Sequence, residues 1–306
     1  EFENERDPLV ADYQIDLGKS GGGFGHTCAL DDSGVVCWGN NRYDQTNVPT
    51  LVNPTQISAG AMHTCALDDT GLVCWGRNVE GQIDVPVLRN PKLVSAGGRY
   101  TCALDNSGVA CWGSNSYGTI DVPVLVNPTQ LSAGESHVCA LDDTGVVCWG
   151  AVNYDEYKLP PVLSNPSQVS VGAENVCALD DTGVVCWGFN PEGQNDVPDL
   201  NRPTQMSAGY KHTCALDDSG VICWGYSSYG QNDVPTLRNP SSVSAGFVNT
   251  CALDDRGVAC WGNNNDGQSS VPMLVIDPDG DGYSNQGGGD AFPLDSAEWL
   301  DTDSDG

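Results

Sequence analysis

The pattern Cys-Ala-Leu-Asp-x-x-Gly-x-x-Cys-Trp-Gly occurs seven times in this chain, with successive copies 37 or 38 residues apart. A unit that recurs at a fixed period marks a repeat architecture, in which each unit buries its apolar face against its neighbours. The cysteines fall into matched pairs: Cys28 with Cys37, Cys65 with Cys74, Cys102 with Cys111, Cys139 with Cys148, Cys177 with Cys186, Cys214 with Cys223, and Cys251 with Cys260. All fourteen are used.

In the second unit, Asp68-Asp69-Thr70-Gly71 reads as a four-residue turn between two apolar β-type segments. If Leu67 faces Leu72, then Cys65 faces Cys74, close enough for a disulfide at a non-hydrogen-bonded position. Zinc would need four ligands, so neighbouring units would have to share an ion. The even count with internal pairing favours disulfides, and hence an oxidising compartment: a secreted or cell-surface protein. Each bridge closes a loop of about ten residues, worth about 2–3 kcal/mol in the chain-entropy model.

Gly 37, Pro 18 and only 17% charged residues suit many short strands and turns, and no helical apolar periodicity is sustained. Each unit reads as four strands, in the second unit at about residues 56–60, 63–67, 72–76 and around Val85-Pro86-Val87-Leu88. Four antiparallel strands repeated seven times predict an all-β, seven-bladed β-propeller with one hairpin disulfide per blade. A solenoid would need polar caps, which are not evident. The propeller is assigned to residues 19–275, after an N-terminal arm (1–18) and before an acidic tail (276–306). The seven tryptophans after the second cysteines read as packing between blades. His26, His63, His137 and His212 share one repeat position with Tyr100, Asn175 and Asn249 and read as structural hydrogen-bonding groups.

Ser-Ala-Gly-x-x-His-Thr-Cys-Ala-Leu, followed by Cys-Trp-Gly-x-Asn-x-x-Gly-Gln-x-x-Val-Pro, resembles the regulator of chromosome condensation repeat. In its compact, loop-poor form the chain is similar to the bacterial propellers that inhibit β-lactamases. The resemblance implies a seven-bladed propeller that grips protein partners with loops on one face. It does not imply an exchange-factor or chromatin role, because the cysteines and the acidic charge point outside the cell, and one scaffold hosts unrelated functions.

Connections in an antiparallel blade alternate ends, so the disc has two unlike faces. One carries the Asp-Asp-x-Gly turns, with thirteen Asp and Asn106 between Asp31 and Asp255, beside the Asn-Pro connections. Turn chemistry accounts for these carboxylates. The other face carries the variable connections, with Tyr43, Met62, Arg99, Tyr100, Tyr117, Tyr154, Tyr157, Phe189, Tyr210, Tyr226, Tyr229 and Phe247. These residue types are enriched at protein interfaces, which makes this the candidate partner face.

After Ile276 the chain reads Asp277-Pro-Asp279-Gly-Asp281-Gly-Tyr283-Ser-Asn285. That order places oxygen ligands at positions 1, 3, 5, 7 and 9 of a Ca2+ loop, with Tyr283 contributing its backbone carbonyl. The stretch resembles thrombospondin type 3 calcium repeats, but Gly287-Gly288-Gly289 leaves position 12 without a carboxylate, for which Asp290 or Glu298 is the candidate substitute. A second motif, Asp301-x-Asp303-x-Asp305-Gly306, stops before a loop is complete, so a trimmed chain or a neighbouring molecule would supply the rest. The N-terminal residues lack the basic and apolar regions of a signal peptide, so export implies a leader already removed. Around Ala11-Asp12-Tyr13-Gln14-Ile15 the arm aligns by repeat phase with the fourth strand of a preceding blade. It is expected to close the ring as an extra strand or to add to another subunit's edge.

The formal charge of −29 disfavours nucleic acid, and no apolar run is long enough to insert in a membrane. No nucleophile elbow, phosphate loop or catalytic metal cluster appears, so the chain reads as non-enzymatic. Two functions compete. The favoured one is an extracellular structural module, with Ca2+ as its cofactor, that forms a homo-oligomer or filament head to tail through its arm and tail. The alternative is a monomeric binder or inhibitor that acts through the aromatic loop face.

Overall fold

The computed structural model describes residues 13–18, 25–151 and 160–274. They form seven three-stranded antiparallel sheets, the blades. In the second blade the strands are Gln56–Ala59, His63–Asp68 and Gly71–Gly76. Cys65 faces Cys74 and Leu67 faces Leu72, as the turn spacing predicts. All seven disulfides form, with facing Cα atoms 4.0–4.1 Å apart, the close spacing of a non-hydrogen-bonded pair. The residue that opens each third strand, such as Gly71 at φ +126°, lies in a region closed to side chains, which fixes the turn's glycine.

The first strands of consecutive blades touch in series, and that of blade seven (Ser242–Ala245) touches that of blade one (Gln14–Leu17), so the ring is closed. Side chains stitch this inner ring together. Gln56 Oε1 accepts from Val94 N at 2.9 Å and Ser58 Oγ from Ala96 N at 3.0 Å, reaching from blade two to blade three. The same bonds join Gln168 and Ser170 of blade five to Met206 and Ala208 of blade six. They satisfy the inner strands' outward N–H groups, which would otherwise form an open edge.

Two expectations are corrected. The segment around Val85-Pro86-Val87-Leu88 joins no ladder, so blades have three strands among the described residues. Pro86 offers no N–H to a ladder, and Val87 is 99% exposed. These segments instead wedge between blades: Val48 and Leu51 pack among Cys28, Leu30, Ile57 and Trp75.

The arm, in turn, is no surplus strand. Gln14–Leu17 pairs with His26–Asp31 in the register Gln14↔Leu30 to Leu17↔Thr27 and is blade one's own first strand. Its alternation matches that of Gln56–Ala59, with Asp16 in the place of Ser58 and bonding Ala59 N at 2.9 Å. The connection from Gly18 to His26 is longer than the one from Gly60 to His63, which displaces the repeat phase.

Candidate partner-binding face

The interior accounts for most of the repeat's polar residues. Each blade places a carbonyl against the next: Gln45 O accepts from Thr64 Oγ1 at 2.8 Å and from Trp75 Nε1 at 2.9 Å. Because the Thr64 hydroxyl donates to that carbonyl, it accepts from His26, whose Nε2 lies 2.9 Å away and therefore carries the proton. His63 to Thr101 and His212 to Thr250 repeat the bond, and Asn175 to Thr213 reproduces it with an amide. Burial pushes His26 down to about 4 and His212 to about 3; it takes His137 to about 4 against an opposing hydrogen bond from the Asn175 backbone, and His63 to about 3 with the help of the nearby His26 and Arg77.

Tyr100, expected at the partner face, belongs to this network. It is 2% exposed and donates to Gly134 O and His137 O at 3.0 and 2.8 Å. Val138 occupies the threonine position of the next blade and offers no hydroxyl, so the longer phenol reaches past it to the carbonyls.

The aspartate face is likewise spent on structure. Asp142 Oδ1 accepts from Thr144 N and Oγ1 at 2.7 and 2.6 Å, and Oδ2 from Val126 N at 2.8 Å. Burial alone would raise its carboxyl, but these bonds hold it below the usual range. The second aspartates bind the Asn-Pro connections: Asp143 Oδ2 accepts from Asn127 Nδ2 at 2.6 Å. Among the described residues no three His, Cys, Asp or Glu side chains converge to hold a metal.

The opposite face, formed by the connections after each first and third strand, is different. Tyr117 is 58% exposed, Tyr229 49% and Phe189 37%. Met62, Tyr43, Tyr210, Tyr226 and Phe247 are half-buried, and Arg99 is exposed. Tyr210 packs against Phe247 in a tilted pair with centroids 4.6 Å apart, and Tyr226 meets Tyr229 edge-on at 6.3 Å. Tyr154, Tyr157 and all ten calcium-ligand candidates, Asp277 through Asp305, lie outside the described residues.

Charge divides this loop face into sectors. Arg42 and Arg77 stand over the Tyr43 ring at 5.7 and 5.8 Å. Glu80 is held by both Arg77 nitrogens and lies 3.6 Å from Arg99. Across the ring, Lys211 lies over Tyr210 at 5.3 Å and 3.8 Å from Glu174. Burial raises the Glu174 carboxyl, opposed by Lys211 and reinforced by Glu135 and Glu192. The sequence reading missed Glu135, Glu174 and Lys211. Their signal was present, since they sit in the two-residue gap of Gly-x-x-His that also holds Met62 and Arg99.

The model of the regulator of chromosome condensation (RCC1) repeat matches residues 21–45, 55–82, 92–119, 167–194, 204–231 and 241–268, more than half of the chain. The chain belongs to the RCC1 repeat family. The one repeat of this RCC1-family protein left unmatched is the fourth, where residues 152–161 lack the Val-Pro pair that closes the same connection in the six others. No curated protein matches the chain at a significant level.

Among solved structures, the RCC1-family chain is similar to the CRINKLY WD40 ectodomain of the Arabidopsis thaliana receptor kinase ACR4. The TM-score is 0.69 at 25% identity, covering 85% of this chain and 97% of that one. It is also similar to the ectodomain of the Physcomitrella patens receptor kinase CR4, with TM-score 0.70 at 24% identity, covering 81% and 72%. Prp20p from Saccharomyces cerevisiae shares the fold, with TM-score 0.66 at 18% identity, covering 84% and 85%.

Proposed function

We propose that this protein is a secreted, non-catalytic propeller that binds a protein partner through its loop face and Ca2+ through its C-terminal segment. The observation that carries the partner reading is the contrast between faces. The aspartates are engaged by their own turns and by the Asn-Pro connections, whereas Tyr117, Phe189 and Tyr229 present aromatic surface to solvent from connections that differ between repeats. Aromatic side chains flanked by charged groups of both signs suit a protein surface with a few desolvated anchors and a polar rim.

Seven disulfides and similarity to two receptor-kinase ectodomains support a place outside the cell. The yeast protein of this fold is described with the protein partners Kap60, Gsp1p and histones. The proposal carries over the class of partner, a protein, and not those proteins. Head-to-tail assembly now rests on the C-terminal segment alone, because Gln14–Leu17 is spent inside blade one. The loop-face reading therefore stands first.

The test is to capture partners from the extracellular fraction of the source organism and to map hydrogen exchange on the complex. Protection confined to the connections around Tyr117, Phe189 and Tyr229 supports the proposal. Protection confined to the aspartate turns contradicts it.

A further inference from the structure

The third strand of each blade is its outermost, and in blade three this is Gly108–Gly113. Cys102 and Cys111 face each other as a non-hydrogen-bonded pair with Cα atoms 4.0 Å apart. The N–H and C=O groups of Cys111, and of Val109 two residues before it, therefore point away from the blade. No main-chain group of the described residues meets them. Cys102 is fully buried whereas Cys111 is half-buried, so the strand's exposure comes from that outer side. A bare strand edge is a template for another strand.

All seven blades share this edge, and two observations single out blade three. The first is its apolar flanks. Val122 and Leu125 pack with Val109 and Cys111, while Val124 between them is 94% exposed. Val87 holds the same repeat position in the connection that enters blade three and is 99% exposed. Four other junctions place Thr50, Asp199, Thr236 and Met273 there, and the remaining one Val162. Only blades three and four therefore have valine on both sides. The second observation is charge. In residues 85–120, Arg89, Lys92 and Arg99 stand against Asp105 alone, and Asn106 replaces the second aspartate of every other turn. The corresponding stretch of each other repeat, blade four included, is net negative.

We propose that blade three is a self-association edge: the Gly108–Gly113 strands of two copies pair antiparallel across a twofold axis, with Val87 and Val124 of each copy flanking the joint. The occupant is a second copy because an antiparallel edge is its own complement, as an isologous contact requires. It also lies on the one blade where two chains of net charge −29 meet without an excess of carboxylates on both sides. Antiparallel pairing turns one disc over relative to the other, so the two loop faces point in opposite directions. Both are left open, and the pair is bivalent. The inference goes beyond the loop-face reading and does not depend on it.

The experiment is sedimentation of the full chain over a wide concentration range, with hydrogen exchange on the same samples. A reversible dimer is expected, in which the Val109 and Cys111 amides gain protection that those of Val35 and Cys37 in blade one do not. Val87→Asp/Val124→Asp replaces two solvent-exposed side chains and copies Asp199 at the same repeat position. It should weaken the dimer at least about tenfold. Asn106→Asp should weaken it less. Added salt should strengthen the dimer by screening the repulsion between two acidic chains, whereas a contact built on ion pairs would weaken. A chain that stays monomeric throughout, or a dimer untouched by the double substitution, overturns the proposal. Protection of Val109 and Cys111 that appears only when a captured protein partner is added overturns it in favour of that partner's strand.

Discussion

Trp38 donates its indole N–H to the main-chain oxygen of Gln268 across 2.9 Å and 230 positions of sequence, joining the first blade to the last. The same carbonyl accepts from Thr27 Oγ1 at 2.9 Å. These are the bonds that Trp75 and Thr64 make to Gln45 between blades one and two. The seam is therefore chemically an ordinary blade junction, although the chain is open there.

Ring closure depends on the N-terminal strand. Leu17 is fully buried and Ile15 packs beside Leu274 and Trp38. Deleting residues 1–17 removes about 2–3 kcal/mol for Leu17 alone and leaves the His26–Asp31 strand with an open edge. A urea melt should show a large loss of stability and a broadened transition. An unchanged midpoint would show that the strand is dispensable.

The disulfides should each contribute through the unfolded chain. Cys65→Ala/Cys74→Ala should cost about 2–3 kcal/mol in denaturant melts under oxidising conditions. Full reduction should cost several times more, though less than a simple multiple because neighbouring blades share contacts.

Acid sensitivity follows from the four buried histidines. Their folded pKa values, about 4 for His26 and His137 and about 3 for His63 and His212, lie below the unfolded value of about 6.5. The unfolded chain binds protons first, so stability falls as pH drops from about 6.5 toward 4, by about 1.4 kcal/mol per pH unit for each histidine. Asp142 and Asp180, held low in the fold, add their loss only below the ordinary carboxylate range. Urea melts between pH 4.5 and 7 on His212→Asn should show a shallower slope with the fold retained. Asn175 already makes the equivalent bond to Thr213 at 3.0 Å.

The proposed function places calcium binding in the C-terminal segment. Titration calorimetry should detect Ca2+ binding to the full chain that disappears in Asp279→Asn/Asp281→Asn. Binding that survives this change would move the site elsewhere.

The hairpins were legible because a nine-residue cysteine spacing admits one register, and Asp-x-x-Gly allows one kind of turn. The fourth strand was misread because Val85-Pro86-Val87-Leu88 has a strand's alternation, and only the ladder shows that Pro86 cannot take part. The arm was misread because the long Gly18 to His26 connection hid the match of Gln14–Leu17 to Gln56–Ala59. At the candidate face, sequence located the variable connections but could not rank their exposure. Tyr100 shares the repeat position of the buried histidines and Tyr117 does not, and Val138 beside Tyr100 lets the longer ring reach the carbonyls inside.

The central claim is that the loop face binds the partner. Its most direct test compares the affinity of a captured partner for wild type, for Tyr117→Ala/Phe189→Ala/Tyr229→Ala, and for Asn127→Ala/Asp143→Ala on the other face. The account predicts that the aromatic variant loses at least about 2 kcal/mol of binding, roughly thirtyfold in Kd, while the aspartate-face variant binds as wild type does. The reverse pattern, with the aromatic variant unchanged and the aspartate-face variant impaired, would contradict it.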